Sequence, residues 1–248
     1  MKNNLSFESS LAKFGIGLFE TIKVKEGKVN LSLHMDRIFN SIKELNINTN
    51  YKREFLESEI LNYIEEHNIF NKALRLTIFD EGYNISTRNI PYNDKSYEKG
   101  FKLNISPIKR GNSILYKHKT TNYFENIYTK NYADSNGFND GIFTDMNNDI
   151  LECSMSNIFF IKENVLYTPS NDLPALNGTT KRRILEACDE FNIKVRESLI
   201  NIEEIKNFDF VFVTNALMGA MKVVQIEDII YDKKNQLFEK ILAYLNES

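Results

Sequence analysis

Tyr116-Lys117-His118-Lys119-Thr120-Thr121-Asn122-Tyr123-Phe124-Glu125-Asn126 carries two lysines on the approach to a helix. Asn122, with Glu125 three positions later, is a helix start signal, and Phe124, Ile127, Tyr128 and Tyr132 then supply an apolar stripe. A lysine just outside a helix start and backed by aromatic rings is placed to be partly desolvated. Desolvation and nearby positive charge lower an ammonium's pKa, which is what a Schiff-base lysine needs. Two solvated loop lysines would look the same, so the rest of the chain decides.

Upstream, residues 17–24 alternate partly and end at the turn pair Glu26-Gly27; residues 29–33 follow, which predicts a β-hairpin over 17–33. Ile38, Ile42 and Leu45 form one helix face from about His34 to Asn46, with Arg37 off that stripe. Phe55, Leu56, Ile60, Tyr63 and Ile64 mark a second helix. Residues 73–79 and 101–105 read as strands, and Lys109-Arg110-Gly111-Asn112-Ser113 reads as a linker. Downstream, Gly137 stops the helix after Lys119, and strands are expected at 141–144, 150–152, 157–161 and 165–168, the last pair turning at Glu163-Asn164. Gly178-Thr179-Thr180 opens a helix with the stripe Ile184, Cys188 and Phe191. Strands at 209–214 and 223–226 and a closing helix through Leu237, Ile241, Tyr244 and Leu245 complete the chain. This is mixed α/β of the α+β kind, with antiparallel hairpins and no wound βαβ array.

The chain's 248 residues suffice for one large or two modest domains, and 42% hydrophobic with 26% charged residues is ordinary for a soluble globular protein. A net charge of −3 without a basic block argues against nucleic acid or an anionic membrane as partner. No signal-peptide-like run or membrane-span-like stretch is present. Two cysteines, Cys153 and Cys188, give no disulfide framework, and three scattered histidines give no metal cluster. The expectation is a cytoplasmic protein.

Several features could carry chemistry. The N–H groups, hydroxyls and helix dipole at Gly178-Thr179-Thr180 suit a phosphate, while the basic triplet Lys181-Arg182-Arg183 reads as a solvated face. Arg37 could clamp a phosphate as a planar fork. Glu152 ends an apolar strand and, if partly buried, needs a permanent cationic partner.

Five ordered motifs are informative together: Phe19-Glu20-Thr21, Leu33-His34-Met35-Asp36-Arg37-Ile38, Lys119-Thr120-Thr121-Asn122-Tyr123, 151–159 from Leu-Glu-Cys-Ser-Met-Ser-Asn onward, and Leu176-Asn177-Gly178-Thr179-Thr180. In these the chain resembles the class IV aminotransferases, the pyridoxal-phosphate enzymes of fold type IV. The resemblance implies a small α/β domain over 1–110, a larger pseudo-barrel domain over 111–248, the cofactor between them, and a homodimer. It implies that Lys119, not Lys117, attaches the cofactor covalently and acts as general base. It further implies that Glu152 pairs with the pyridine nitrogen, that Arg37, Thr179 and Thr180 clamp the phosphate, and that Tyr123, Ser154, Ser156, Asn157, Asn215 and Ala216 line the cofactor. Arg88, expected on a loop, and Arg75 are candidates for a substrate carboxylate. Departures are Cys153 for a glycine, Met155 for a serine, and Gly15-Ile16-Gly17 for Gly-Asp-Gly.

The family holds both amino-acid aminotransferases and 4-amino-4-deoxychorismate lyase. Asn215-Ala216-Leu217-Met218 resembles the lyase segment, and compact length leans the same way; against it, Lys222 stands where a proline is usual, and Tyr123 resembles the aminotransferases. The expected activity is therefore release of pyruvate and p-aminobenzoate from aminodeoxychorismate, with branched-chain or D-amino-acid transamination as the alternative.

Overall fold

Strand β1 (Gly17–Val24) turns Leu18, Ile22 and Val24 to one face and Phe19, Thr21 and Lys23 to the other. It pairs antiparallel with β2 (Lys72–Phe79), which pairs antiparallel with β3 (Gly82–Asn89) through a tight turn at Asp80-Glu81. Helices α2 (Ser32–Glu44) and α3 (Arg53–Glu66) cover the apolar face, packing Met35, Ile38, Leu56, Ile60 and Ile64 on Leu74, Leu76 and Ile78. The computed structural model describes residues 1–247, and Met1–Pro91 with His118–Tyr123 forms this first unit.

The segment 118–123 belongs here because it is laced along the free edge of β1. The Phe19 N–H donates to the Lys119 carbonyl at 3.0 Å, and the Thr121 N–H to the Gly17 carbonyl at 2.9 Å. Its His118 is buried beside α2, with Nδ1 2.9 Å from the Ser41 hydroxyl and Nε2 3.3 Å from Glu44.

The second unit, Tyr92–Lys117 and Phe124 onward, is built on a nine-stranded mixed sheet. Its strands are β4 (Phe101–Arg110), β5 (Asp140–Asp145), β6 (Ile150–Cys153), β7 (Asn157–Lys162), β8 (Val165–Pro169), β9 (Val195–Ser198), β10 (Phe210–Asn215), β11 (Gly219–Ile226) and β12 (Ile229–Ile230). They run in the order β6-β5-β4-β11-β10-β7-β8-β9, with β12 on β11; β4 is parallel to β5 and β11, and β8 to β9. Strands β7 and β10 are buried on both faces, which is why they read as unbroken apolar runs. Ile158, Phe160, Val211 and Val213 enter one core; Phe159, Ile161, Phe210 and Phe212 enter the other, beneath α6 (Thr179–Glu190) and α7 (Gln236–Glu247). Glu163 and Asn164, both with positive φ, turn β7 into β8.

Four expectations change. The 17–33 hairpin does not form: after one bridge, Lys25 to Lys28, the chain enters α2 at Ser32, and the strand beside β1 is β2. The first unit ends at Pro91, not near 110, because β4 hydrogen-bonds into the large sheet. Residues 109–113 are no simple linker, since Arg110 is the buried end of β4. In α5 (Phe124–Ser135) the stripe is inverted. Phe124, Ile127, Tyr128 and Tyr132 are exposed, and Asn126, Thr129 and Ala133 are buried. The sheet beneath explains this: Thr129 hydrogen-bonds Ser106 at 2.8 Å, and a Cβ on Gly141 would meet its methyl at 2.5 Å. Only a small polar helix face fits there.

The remaining helices, α1 (Ser10–Phe14) and α4 (Asp94–Lys99), are short. Among the described residues no helix is long and apolar enough to cross a membrane, and no group of three or more potential ligands could hold a metal ion.

Candidate active site

Lys119 is half-buried in the first unit, with its ammonium 4.5 Å from the centroid of Phe19 and 5.2 Å from that of Tyr123. The two rings meet edge to face at 5.2 Å. Lys117, by contrast, is exposed. The aromatic backing expected for Lys119 therefore exists, but it comes from β1 and Tyr123, not from the α5 stripe.

On the same sheet face Arg75 lays its guanidinium 3.6 Å from the Phe19 centroid. Arg88 is not on a loop; it pairs opposite Ala73 in β3, exposed, with Nη1 on the Asn89 carbonyl at 3.4 Å. The sequence carries no apolar strand signal there because Asn84, Ser86, Thr87, Arg88 and Asn89 form a polar edge.

Glu20, from β1, is buried between His34 and Arg37 of α2. Arg37 grips it with Nε at 2.8 Å and Nη2 at 2.7 Å, and the His34 Nδ1 lies 2.6 Å away. Burial alone would push the Glu20 carboxyl up; the charges of Arg37 and His34 and their hydrogen bonds outweigh it and hold it down at about 2. Neither Glu20 nor His34 was a predicted site residue. Their spacing of fourteen (34 minus 20) spans a strand and a helix and carries no local signal.

In the second unit Glu152 is buried and has the cation its position demanded: Arg110 donates from Nη1 to Oε1 at 2.8 Å. The Leu176 N–H donates to Oε2 at 3.2 Å. Arg110 is itself held, with Nη2 3.3 Å from Asn126, Nε 3.4 Å from Glu125, and its plane 3.6 Å and 4.5 Å from the Phe143 and Tyr116 centroids. Stacking between two rings keeps a buried guanidinium at low cost.

The turn after Glu152 is built around Asp140. Its carboxylate accepts from the Ser154 hydroxyl, the Ser156 hydroxyl at 2.9 Å, and the N–H groups of Gly141 (2.9 Å) and Met155 (3.2 Å). Burial pushes its pKa up against those hydrogen bonds. Ser154 and Ser156 thus both bond to one buried carboxylate, at the start of β5, which no sequence motif marks. Burial also drives the Cys153 thiol well above its ordinary pKa, which suits packing and not attack.

Asn157 donates to the Leu176 carbonyl at 2.7 Å, and a Cβ on Gly178 would fall 1.9 Å from its Oδ1. Only glycine fits at that N-cap, which gives the helix no side-chain acceptor; Thr179 and Thr180 are buried in the first turn of α6. Asn215 organises the β10–β11 turn around Ala216: its Oδ1 accepts from the Leu217 and Met218 N–H groups, both at 3.0 Å. Its amide donates to the Tyr92 hydroxyl (3.0 Å) and the Met155 carbonyl (3.2 Å).

The first unit thus gathers Lys119, Tyr123 and Arg75 around Phe19 and holds Arg37 on Glu20; the second carries Glu152, Ser154, Ser156, Asn157, Thr179, Thr180, Asn215 and Ala216. The chain is 29% identical over 237 residues to a "Probable branched-chain-amino-acid aminotransferase" of Rickettsia conorii, covering 90% of this chain and 80% of that one. It is 26% identical over 239 residues to the aminodeoxychorismate lyase of Bacillus subtilis, covering 90% of this chain and 81% of that one. A Legionella pneumophila structure provisionally designated a 4-amino-4-deoxychorismate lyase superposes with a TM-score of 0.92 at 25% identity, covering 100% of this chain and 96% of that one. The amino-transferase class IV family model matches residues 17–226. The chain therefore belongs to the class IV aminotransferases, and its fold is that of the fold type IV pyridoxal-phosphate enzymes, a small α/β domain and a large curled half-barrel sheet.

Proposed function

We propose that the protein is a 4-amino-4-deoxychorismate lyase that releases pyruvate and p-aminobenzoate. The observation that carries this reading within the family is the Asn215-Ala216-Leu217-Met218 turn, lyase-like in sequence and held shut by both ends of the Asn215 side chain. The second reading is an amino-acid aminotransferase, favoured by the Rickettsia similarity and by Tyr123.

The residues fit pyridoxal phosphate. The α6 N-terminus has no side-chain cap, and the Gly178 cradle excludes any larger residue, so the first turn is shaped for a phosphate oxygen. Thr179, Thr180 and Arg37 would hold that phosphate. Glu152, paired with Arg110, would hold a proton on the ring nitrogen. When bound, the cofactor supplies an electron sink for the bond being broken. Lys119 would bind it covalently, and its free Nζ would serve as general base toward the carbon bearing the substrate amine, a role worth roughly 10²–10⁴-fold. Phe19 and Tyr123 shield that nitrogen from water. For the substrate carboxylate we favour Arg75 over Arg88, because Arg75 shares the Phe19 ring with Lys119. The exposed apolar stripe of α5 supports a homodimer.

The test is a paired assay on protein reconstituted with pyridoxal phosphate. One arm supplies enzymatically generated aminodeoxychorismate and follows p-aminobenzoate and pyruvate; the other offers L- and D-amino acids with 2-oxoglutarate or pyruvate. Aromatic product with negligible keto-acid exchange is expected. Rapid exchange without aromatic product would replace the lyase reading by the aminotransferase.

A further inference from the structure

The triplet Lys181-Arg182-Arg183 does not form one solvated face. Lys181 turns into the protein, its side chain only 6% exposed, and donates from Nζ to the Pro169 carbonyl at 2.7 Å; Glu197 Oε2 lies 3.8 Å away. Pro169 is the last residue of β8, and Glu197 sits on β9, in register with Thr168. One ammonium therefore ties the first turn of α6 to the end of the β8–β9 pair. Taking an ammonium out of water against a carbonyl and a half-exposed carboxylate is costly. Burial pulls its pKa down to about 8, against the charges of Glu197 and Glu152.

Between the two points joined by Lys181 runs the connection 170–178, which has no helix or strand of its own. It holds together by short turns, Leu173 N–H to Ser170 O at 3.2 Å and Ala175 N–H to Leu173 O at 2.8 Å. Near its end Leu176 faces two residues of the site at once: its N–H donates to Glu152 Oε2 and its carbonyl accepts from Asn157. A segment without regular structure keeps such a donor aimed only if its ends are fixed. Gly178 and Asn157 fix one end; Lys181 fixes the other.

We propose that Lys181 is a positioning residue for Glu152: by holding the end of β8 to the start of α6 it sets the span of the 170–178 connection, and with it the Leu176 N–H that steadies the Glu152 carboxylate. The consequence for the cofactor rests on Glu152 being the partner of the ring nitrogen; the latch itself does not.

Hydrogen exchange and cofactor spectroscopy separate the two. Wild type, Lys181→Met, Lys181→Arg and Glu152→Gln would be compared before and after loading with pyridoxal phosphate. In Lys181→Met the Leu176 amide should exchange roughly tenfold or more faster while β7 and β10 amides keep their protection, and Lys181→Arg should restore most of it. Loaded Lys181→Met should hold the cofactor roughly tenfold more weakly, with its visible absorbance shifted in the same direction as in Glu152→Gln. Unchanged exchange at Leu176, or a uniform rise that includes β7 and β10, overturns the proposal. Faster exchange with wild-type absorbance and affinity also overturns it, provided Glu152→Gln shifts the spectrum. If Glu152→Gln leaves the spectrum unmoved as well, it is the ring-nitrogen role of Glu152 that fails.

Discussion

Lys119 and Lys117 differ by what lies against them, and that difference is measurable. With pyridoxal phosphate and borohydride, Lys119→Ala should lose the reducible covalent adduct and Lys117→Ala should keep it; the reverse outcome would put the chemistry on the wrong lysine. Glu20 offers a second residue-scale test. Its folded pKa, about 2, lies below the ordinary carboxylate value of 4.5, so its stabilising contribution is full above about pH 4.5 and is lost as pH falls toward 2. Glu20→Gln should cost about 3–5 kcal/mol at neutral pH, because Arg37 and His34 would be left buried without their carboxylate. The gap to wild type in denaturant titrations should shrink between pH 4.5 and 2, and a gap that stays constant would mean that the carboxylate is not ionised. Lys119 and Glu152 were legible in the sequence because they sit inside recurring motifs. Arg110, Asp140 and Lys181 were not, since each looks like an ordinary loop, strand-end or surface residue until its partner, far away in sequence, arrives.

At the scale of elements, strands β5 to β8 and β10 were legible because they bury apolar side chains on one or both faces and are punctuated by residues that accept positive φ. β3 was not, because half of it is a polar edge that gains its partners only from β2. The second half of the expected 17–33 hairpin failed for the converse reason: Val29 and Leu31 alternate like a strand but pack singly against the first core on the way into α2. Helix α5 shows how periodicity can give the right element and the wrong face. Its stripe sits at helical spacing, yet the sheet beneath accepts only Thr129, Ala133 and Asn126. Phe124, at 76% exposure, and Ile127 and Tyr128 are left outward, and Ile114 and Leu115 in the preceding 3-10 turn (Ile114–Lys117) are exposed as well. Exposed apolar side chains at this spacing are what an association surface would present, and the proposed homodimer would use them. Sedimentation at micromolar concentration should give twice the 28.9 kDa chain mass, and Ile127→Asp should shift it toward one. A wild-type chain that sediments as a monomer would leave the stripe without that role.

At the scale of the whole molecule, the lacing of residues 118–123 onto β1 has a consequence for the order in which the protein can be made. The chain passes from one unit to the other three times, at 91/92, 117/118 and 123/124. The three-stranded sheet and its two helices are all synthesised by Pro91, but the strip that covers the open edge of β1 leaves the ribosome only after β4, a strand of the other unit, has been translated. Until then β1 presents an unsatisfied edge, and the nascent chain holds a core without Lys119, the lysine proposed to react. Neither unit can therefore be excised by a single cut. A gene fragment ending at Pro91 would encode most of the first core and none of the lysine chemistry, which ties the birth of the Lys119 environment to a commitment to build the second unit.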